Sequence, residues 1–280
     1  MTRYLASSFF LMLYVLAVEA TVIPATSCDS DDIAAAIASA IDDDTVTVPA
    51  GTCPWTSLLN ITKAITLQGA GQGLTIIQDN VDSGRMLTMY AVAGKASRLT
   101  GFTFEDGGRN PTSNAGIIAL DALMTFPGDA RSMRVDHCTF DHLNGQVFEV
   151  YNVVGVFDNN TFLVNSPNIP LYVYHGLWDT TDSHDRYGDG SWAAASNLGS
   201  ATALFIEDNV FTFGATNFAV VYGLRGYRVV FRYNTVTNGW IEAHGTESGD
   251  RFRGARTLEI YENNFIGNNT FGIVANIRSG

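Results

Sequence analysis

The chain is poor in lysine, in cysteine and in long apolar runs. Lys63 and Lys95 are its only lysines, and Lys plus Arg total 16 against 28 Asp plus Glu, a formal net charge of −12. That sign excludes a nucleic acid as partner, because holding phosphates requires clustered cations. An acidic polysaccharide would need a local basic patch or a bridging cation. Beyond residue 18 no segment reaches 18 unbroken apolar residues, so no membrane span is expected. There is no Pro/Gly/Ser-rich linker and no break in composition, which reads as one long repetitive domain.

Residues 1–20 read as a signal peptide. Arg3 opens it, an apolar stretch from Tyr4 to Val18 follows, and Val18 and Ala20 place small residues before a cleavage point. The mature domain, 21–280, is therefore expected to be secreted and extracellular. The three cysteines fit an oxidising compartment. Cys28 and Cys53 flank the first structural unit and are expected to pair. Cys138 sits in an apolar pattern and reads as a buried free thiol. Asn60, Asn159 and Asn268 each begin a glycosylation sequon.

One phrase recurs along the chain. It runs Val135 to Phe140, Phe157 to Phe162, Ile206 to Phe211, Phe231 to Val236 and Ile260 to Phe265, with a looser copy from Leu99 to Phe104. An apolar residue is followed three positions later by Phe102, Cys138, Asn160, Asn209, Asn234 or Asn263, and two positions after that by a second apolar residue. After Cys138 the gaps are 22, 49, 25 and 29 residues. A short unit repeated with variable insertions marks a solenoid. The units are rich in Val, Ile, Phe, Thr and Tyr and alternate at period two, as strands do. The Asn is expected at a sharp corner in the left-handed conformation, bonding from coil to coil.

This repeat, from about residue 45 to 280, resembles that of the pectin and pectate lyase-like superfamily. The resemblance implies an all-β fold, a single right-handed parallel β-helix with an N-terminal cap. The cap is placed at 21–44, with an amphipathic helix from Asp29 to Ile41, N-capped by Ser30 or Asp31 and carrying Ile33, Ile37 and Ile41 on one face. Thr45 to Gly51 reads as the first strand and turn. At the other end Thr270 to Asn276 repeats a strand phrase with no polar cap after it, so an unfinished or truncated solenoid end is expected.

A second strand follows each corner. The segments end at Tyr151, His175, Tyr222 and His244, and the last three are followed by Gly176, Gly223 and Gly245. Aligned on those glycines, alternation puts Val150, Tyr174, Val221 and Ala243 in the core. It puts Tyr151, His175, Tyr222 and His244 in an outward column, with Glu149 and Glu242 two residues upstream on the same face. A long insertion, 176–203, opens after His175. Its Trp178, Tyr187 and Trp192 could stack on sugar rings, and Asp179, Asp182 and Asp185 are candidate Ca²⁺ ligands. Arg225, Arg253 and Arg256 could hold a carboxylate through the planar guanidinium fork. The stretch around Arg253 and Arg256 resembles an Arg-rich segment of pectate lyases. Asp136-His137 also resembles a phrase of that family, but its register puts it on another face.

These features point to a polysaccharide-active protein. A lyase acting on uronate glycan would use His175, Tyr222, His244 and Glu242 for proton transfer and the arginines, with Tyr151, for binding. A glycoside hydrolase would need two carboxyl groups about 5 to 9.5 Å apart, which Glu242 with Glu149, Glu247 or Asp250 could supply. A non-catalytic adhesin or tail-fibre module would use the aromatic residues for binding alone.

Overall fold

The computed structural model describes residues 19–109, 117–122, 131–165, 167–175, 198–214, 218–224, 226–245, 254–267 and 272–278. They form a right-handed parallel β-helix with one short helix. Three parallel sheets, of nine, eight and eight strands among the described residues, run the length of the solenoid. A middle coil shows the plan. Val154–Asp158 lies in the first sheet, Thr161–Val164 in the second and Leu171–Tyr174 in the third, and the next coil starts at Leu204–Glu207. From Thr45 onward no described strand neighbours its sequence successor; each bonds to its counterpart one coil away.

The interior is a set of columns. Leu99, Val135, Phe157, Ile206, Phe231 and Ile260 are successive partners in the first sheet. All are fully buried except Ile260 in the last such strand, which is half-buried. In the second sheet Phe104, Phe140, Phe162 and Phe211 stack with ring centroids 5.6, 4.7 and 4.7 Å apart. Rings at that spacing bury most of their surface against one another and gain from offset stacking.

The corner between these sheets is set by hydrogen bonds. Asn209 Nδ2 donates to the carbonyls of Phe157 (2.8 Å) and Glu207 (2.9 Å) and to Asn234 Oδ1 (3.1 Å). Its own Oδ1 accepts from the backbone N–H and the side-chain amide of Asn160, both at 3.0 Å. Asn234 repeats this toward Asn263, and Asn160 Oδ1 accepts from Cys138 N. The left-handed residue is the one before the ladder position and not the Asn itself: Gly101, His137, Asn159, Asp208, Tyr233 and Glu262 all have positive φ. Asn is bent inward to feed the ladder, so its neighbour makes the turn. Tyr and Glu accept a conformation that is costly for them because the corner bonds over-determine it.

Cys28 is disulfide-bonded to Cys53, tying the residues ahead of the helix Ser30–Ser39 to the strand Gly51–Trp55. The N-cap is Asp29 rather than Ser30 or Asp31; Ser27 supports this end by bonding Asp32 at 2.6 Å. Ile33 and Ile37 are buried, but the helix ends at Ser39 and leaves Ile41 exposed, off the predicted face. Lys63 Nζ donates to the carbonyls of Ile37, Ala38 and Ala40, adding to the Ala40 N–H bond on Ile37 O at the helix C-terminus. A strand ahead of the helix, Val22–Pro24, also pairs with Thr45–Thr47. Cys138 is buried and free, and burial pushes its thiol pKa up to about 12. At the other end Leu258 and Phe265 are half-buried and Ile277 is exposed; Phe271 lies outside the described residues.

His175 does not face outward. It is buried, its Nε2 donates to Val153 O (2.9 Å), and its Nδ1 accepts from Arg228 N (2.8 Å). With both ring nitrogens engaged by backbone, it braces the exit of Leu171–Tyr174 against the first sheet. Burial lowers its pKa to about 3, so the folded protein holds it neutral.

Two outcomes are expected. Asn209→Leu leaves several corner groups unpaired and should cost about 2–4 kcal/mol, at about 1–3 kcal/mol per orphaned group, in urea unfolding. His175 binds a proton more weakly folded than unfolded. Its contribution is therefore complete above about pH 6.5 and is lost as pH falls toward about 3, at roughly 1.4 kcal/mol per pH unit. His175→Gln should show a flatter stability profile across that window in denaturant titrations.

Candidate functional site

The outer face of the third sheet carries two columns. Register pairs Glu149 with Tyr172, Tyr172 with Tyr222 and Tyr222 with Glu242. The second column pairs Tyr151 with Tyr174 and Tyr174 with Leu224, and His244 N donates to Gly223 O at 3.0 Å, placing His244 beside Leu224. The glycine-based alignment thus misplaced two rungs. His175 is one residue past the column and therefore turned inward. Tyr222 is two residues early, so it keeps its outward face but joins the glutamates.

The cause is local. Gly223 is not a coil-ending turn; it is an inward core position paired with Val173 and Ala243. A Cβ there would lie 2.4 Å from the Tyr227 ring, which fills the space. The strand Ala219–Leu224 also carries an irregularity between Ala219 and Val221 that shifts its register. Val150, Val221 and Ala243 are in the core as expected, but Val150 and Ala243 share their column with Val173, not Tyr174, and with Gly223, while Val221 stands in the neighbouring one with Leu171 and Ile241.

The columns merge into one aromatic strip. Tyr151 stacks on Tyr174 (4.6 Å), Tyr174 meets Tyr172 (4.9 Å), Tyr172 stacks on Tyr222 (4.8 Å) and Tyr222 meets His244 (4.8 Å). The four tyrosines are half-buried. Burial, then the neighbouring Tyr172, pushes the Tyr174 phenol well above its ordinary range, so it stays protonated.

An arginine–glutamate pair closes each end. Arg85 Nη2 is 2.5 Å from Glu149 Oε2. At the other end Arg278 lies 2.6 Å from Glu242 Oε1 and 3.0 Å from His244 Nε2. Glu242 also accepts from Trp240 Nε1 (3.1 Å) and Asn276 Nδ2 (2.9 Å). His244 is on the outer face but buried at 3 % exposure, rather than projecting into solvent. Arg278 and Trp240 surround the acid and imidazole that the strand presents there.

Sequence reasoning singled out Tyr151, Tyr222, Glu242 and His244, and these do come together. It missed Arg85, Tyr172, Tyr174 and Arg278. Tyr172 and Tyr174 alternate on either side of Val173, a signal the glycine alignment overrode. Arg85 and Arg278 carry no local signature. Arg256 lies where the chain enters Thr257–Tyr261 of the first sheet, its N–H donating to Tyr227 O (2.9 Å). Arg225, Arg253, Trp178, Tyr187, Trp192, Asp179, Asp182 and Asp185 fall outside the described residues, within which no group of three or more His, Cys, Asp or Glu could hold a metal ion. Asp136 and His137 belong to the first sheet's corner. Burial raises the Asp136 pKa, but Arg98 and His137 outweigh it and hold the carboxyl below its usual range.

No family model matches the chain, and no curated protein matches its sequence. Among solved structures it is similar to a PL6 family alginate lyase, AlyGC, in an arginine-to-alanine variant. The TM-score is 0.51 at 13% identity, covering 96% of this chain and 41% of that one. A second AlyGC structure gives a TM-score of 0.44 at 13% identity, over 91% and 41%. The chain therefore spans about 41% of the length of that lyase. At such identity the likeness is one of fold alone: the chain shares the right-handed parallel β-helix architecture of that lyase.

Proposed function

We propose that this protein is an exported enzyme that cleaves a uronate-containing polysaccharide by β-elimination on the outer face of the third sheet. The observation that carries the reading is the unbroken Tyr151–Tyr174–Tyr172–Tyr222–His244 strip, closed at both ends by arginine–glutamate pairs. Half-buried tyrosines suit the faces of sugar rings, and guanidinium groups suit carboxylates. A fold held in common with an alginate lyase supports the same reading. So does the disulfide, which fits an oxidising compartment.

Elimination needs three functions. An arginine neutralises the uronate carboxylate, which makes the C5 proton more acidic. A base removes that proton, the electron pair forms C4=C5, the C4–O bond breaks, and an acid protonates the leaving oxygen. Tyr222 and His244 sit at the Glu242 end of the strip, with His244 bonded to Arg278, and are assigned the base and acid roles between them. Tyr174, held as a neutral phenol, orients substrate.

For the hydrolase alternative, Glu247 and Asp250 lie outside the described residues, and the Glu149 pair is too wide. Glu149 and Glu242 are three inter-strand steps apart, roughly 14 Å at about 4.8 Å per step. Hydrolysis needs its carboxyl groups no farther apart than about 9.5 Å.

The decisive assay incubates the protein with alginate, pectate, glucuronan and neutral glycans. Ultraviolet absorbance from the new C=C bond, on a uronate polymer alone, is the expected result. New reducing ends without that absorbance would indicate hydrolysis, and binding without either would indicate an adhesin. Tyr222→Phe and His244→Ala should each lower turnover by about 10²- to 10⁴-fold while far-ultraviolet circular dichroism stays unchanged. Full specific activity in both variants would move the active groove elsewhere.

A further inference from the structure

Arg85 is an arginine that the chemistry above does not use. It stands just ahead of Leu87–Tyr90, two coils before the glutamate it touches. Thr88 and Ala119 occupy the outer column between, paired with each other and then with Glu149. Both side chains are short, which leaves a low path for Arg85 to reach across. A guanidinium has five N–H donors. Among the described residues Arg85 spends one, on Glu149, and its side chain is 28% exposed against 11% for its partner. Through Glu149 the partly exposed guanidinium stands at the Tyr151 end of the strip.

That arrangement is poor as a structural tie. One monodentate bond leaves most of the guanidinium's donors uncommitted among the described residues. It is better suited to exchange. An incoming carboxylate can take the fork through two bonds, and that gain must offset leaving the mostly buried Glu149 without its guanidinium. The opposite end of the strip has a second arginine, Arg278, on Glu242 and His244. The two glutamates are three rungs apart, roughly 14 Å, so one polymer with a carboxylate on every sugar could engage both.

We propose that Arg85 is a distal substrate-binding residue, which gives up Glu149 to hold a carboxylate of a polyuronate laid along the tyrosine strip. This rests on the uronate reading above. It adds that the ligand is a chain long enough to carry two anchored carboxylates, and that Glu149 competes with it for Arg85.

The test uses the full protein with long and short alginate fragments, or the matching pectate fragments if pectate is the polymer cleaved, the short ones unable to span three rungs. Arg85→Gln should raise KM for long fragments about tenfold or more, with kcat nearly unchanged and short fragments unaffected. Glu149→Gln should lower KM for long fragments, because the competitor is gone. Removing a negative charge could do this without Arg85, so the double variant decides: the gain must vanish in the Arg85→Gln background. A gain that persists there, or equal KM changes for short and long fragments, overturns the proposal while leaving the lyase reading intact. A wild-type protein that neither cleaves nor binds any uronate polymer overturns both.

Discussion

Everything in this protein depends on the register between neighbouring coils. Parallel strands one coil apart must align to the residue, since a slip of one turns every side chain through the sheet. The register is imposed at one corner. There Asn160, Asn209, Asn234 and Asn263 pass hydrogen bonds from coil to coil, each also bonding the main chain at the end of a first-sheet strand. The bonds are buried, so a slipped coil would strand several polar groups away from water. The phenylalanine column beside them adds apolar burial that a slip would also lose. Left-handed residues before each Asn, including Tyr233 and Glu262, are the strain that this corner tolerates.

Given that register, the outer face of the third sheet follows. A solenoid offers no pocket of its own; a site is what stacked positions happen to place side by side at the strand spacing. Two outward columns from four coils here supply four tyrosines, two glutamates and a histidine in a single surface. Departures from the plan are concentrated in the same region. The strand Ala219–Leu224 shifts register, Gly223 yields its side-chain volume to Tyr227, and His175 is spent on backbone bonds to Val153 and Arg228. Each departure adjusts which side chain reaches the strip, and none disturbs the ladder.

Charge is arranged with similar economy. The molecule is acidic overall, yet both ends of the strip place a guanidinium against a glutamate that is itself mostly buried. Such pairs keep arginines positioned on an acidic surface without leaving glutamates unpaired. Other ion pairs, Arg98 with Asp136 and Arg134 with Asp158, lie on the first sheet and stiffen its outer edge.

The solenoid was legible because its signal is local and repeated. An apolar residue, an Asn three positions on and a second apolar residue two beyond that recur often enough to identify the corner and the core columns, and Cys28 with Cys53 could be paired from their places around the first unit. The strip was legible only in part. Tyr222, Glu242 and His244 were found because each lies in a strand-like segment. His175 was misassigned, because a glycine inside the core at 223 looks, in sequence, like a glycine ending a coil. Arg85 and Arg278 could not be found, since nothing in their neighbours says that they lie beside Glu149 and Glu242. By itself the sequence determined the repeat, hence the strands, the corner and the apolar interior, all of which depend on spacing within a coil. Only the tertiary structure decided which outward residues share a rung, because that depends on the offset between coils. An irregularity in a single strand, absorbed by local packing, shifts that offset.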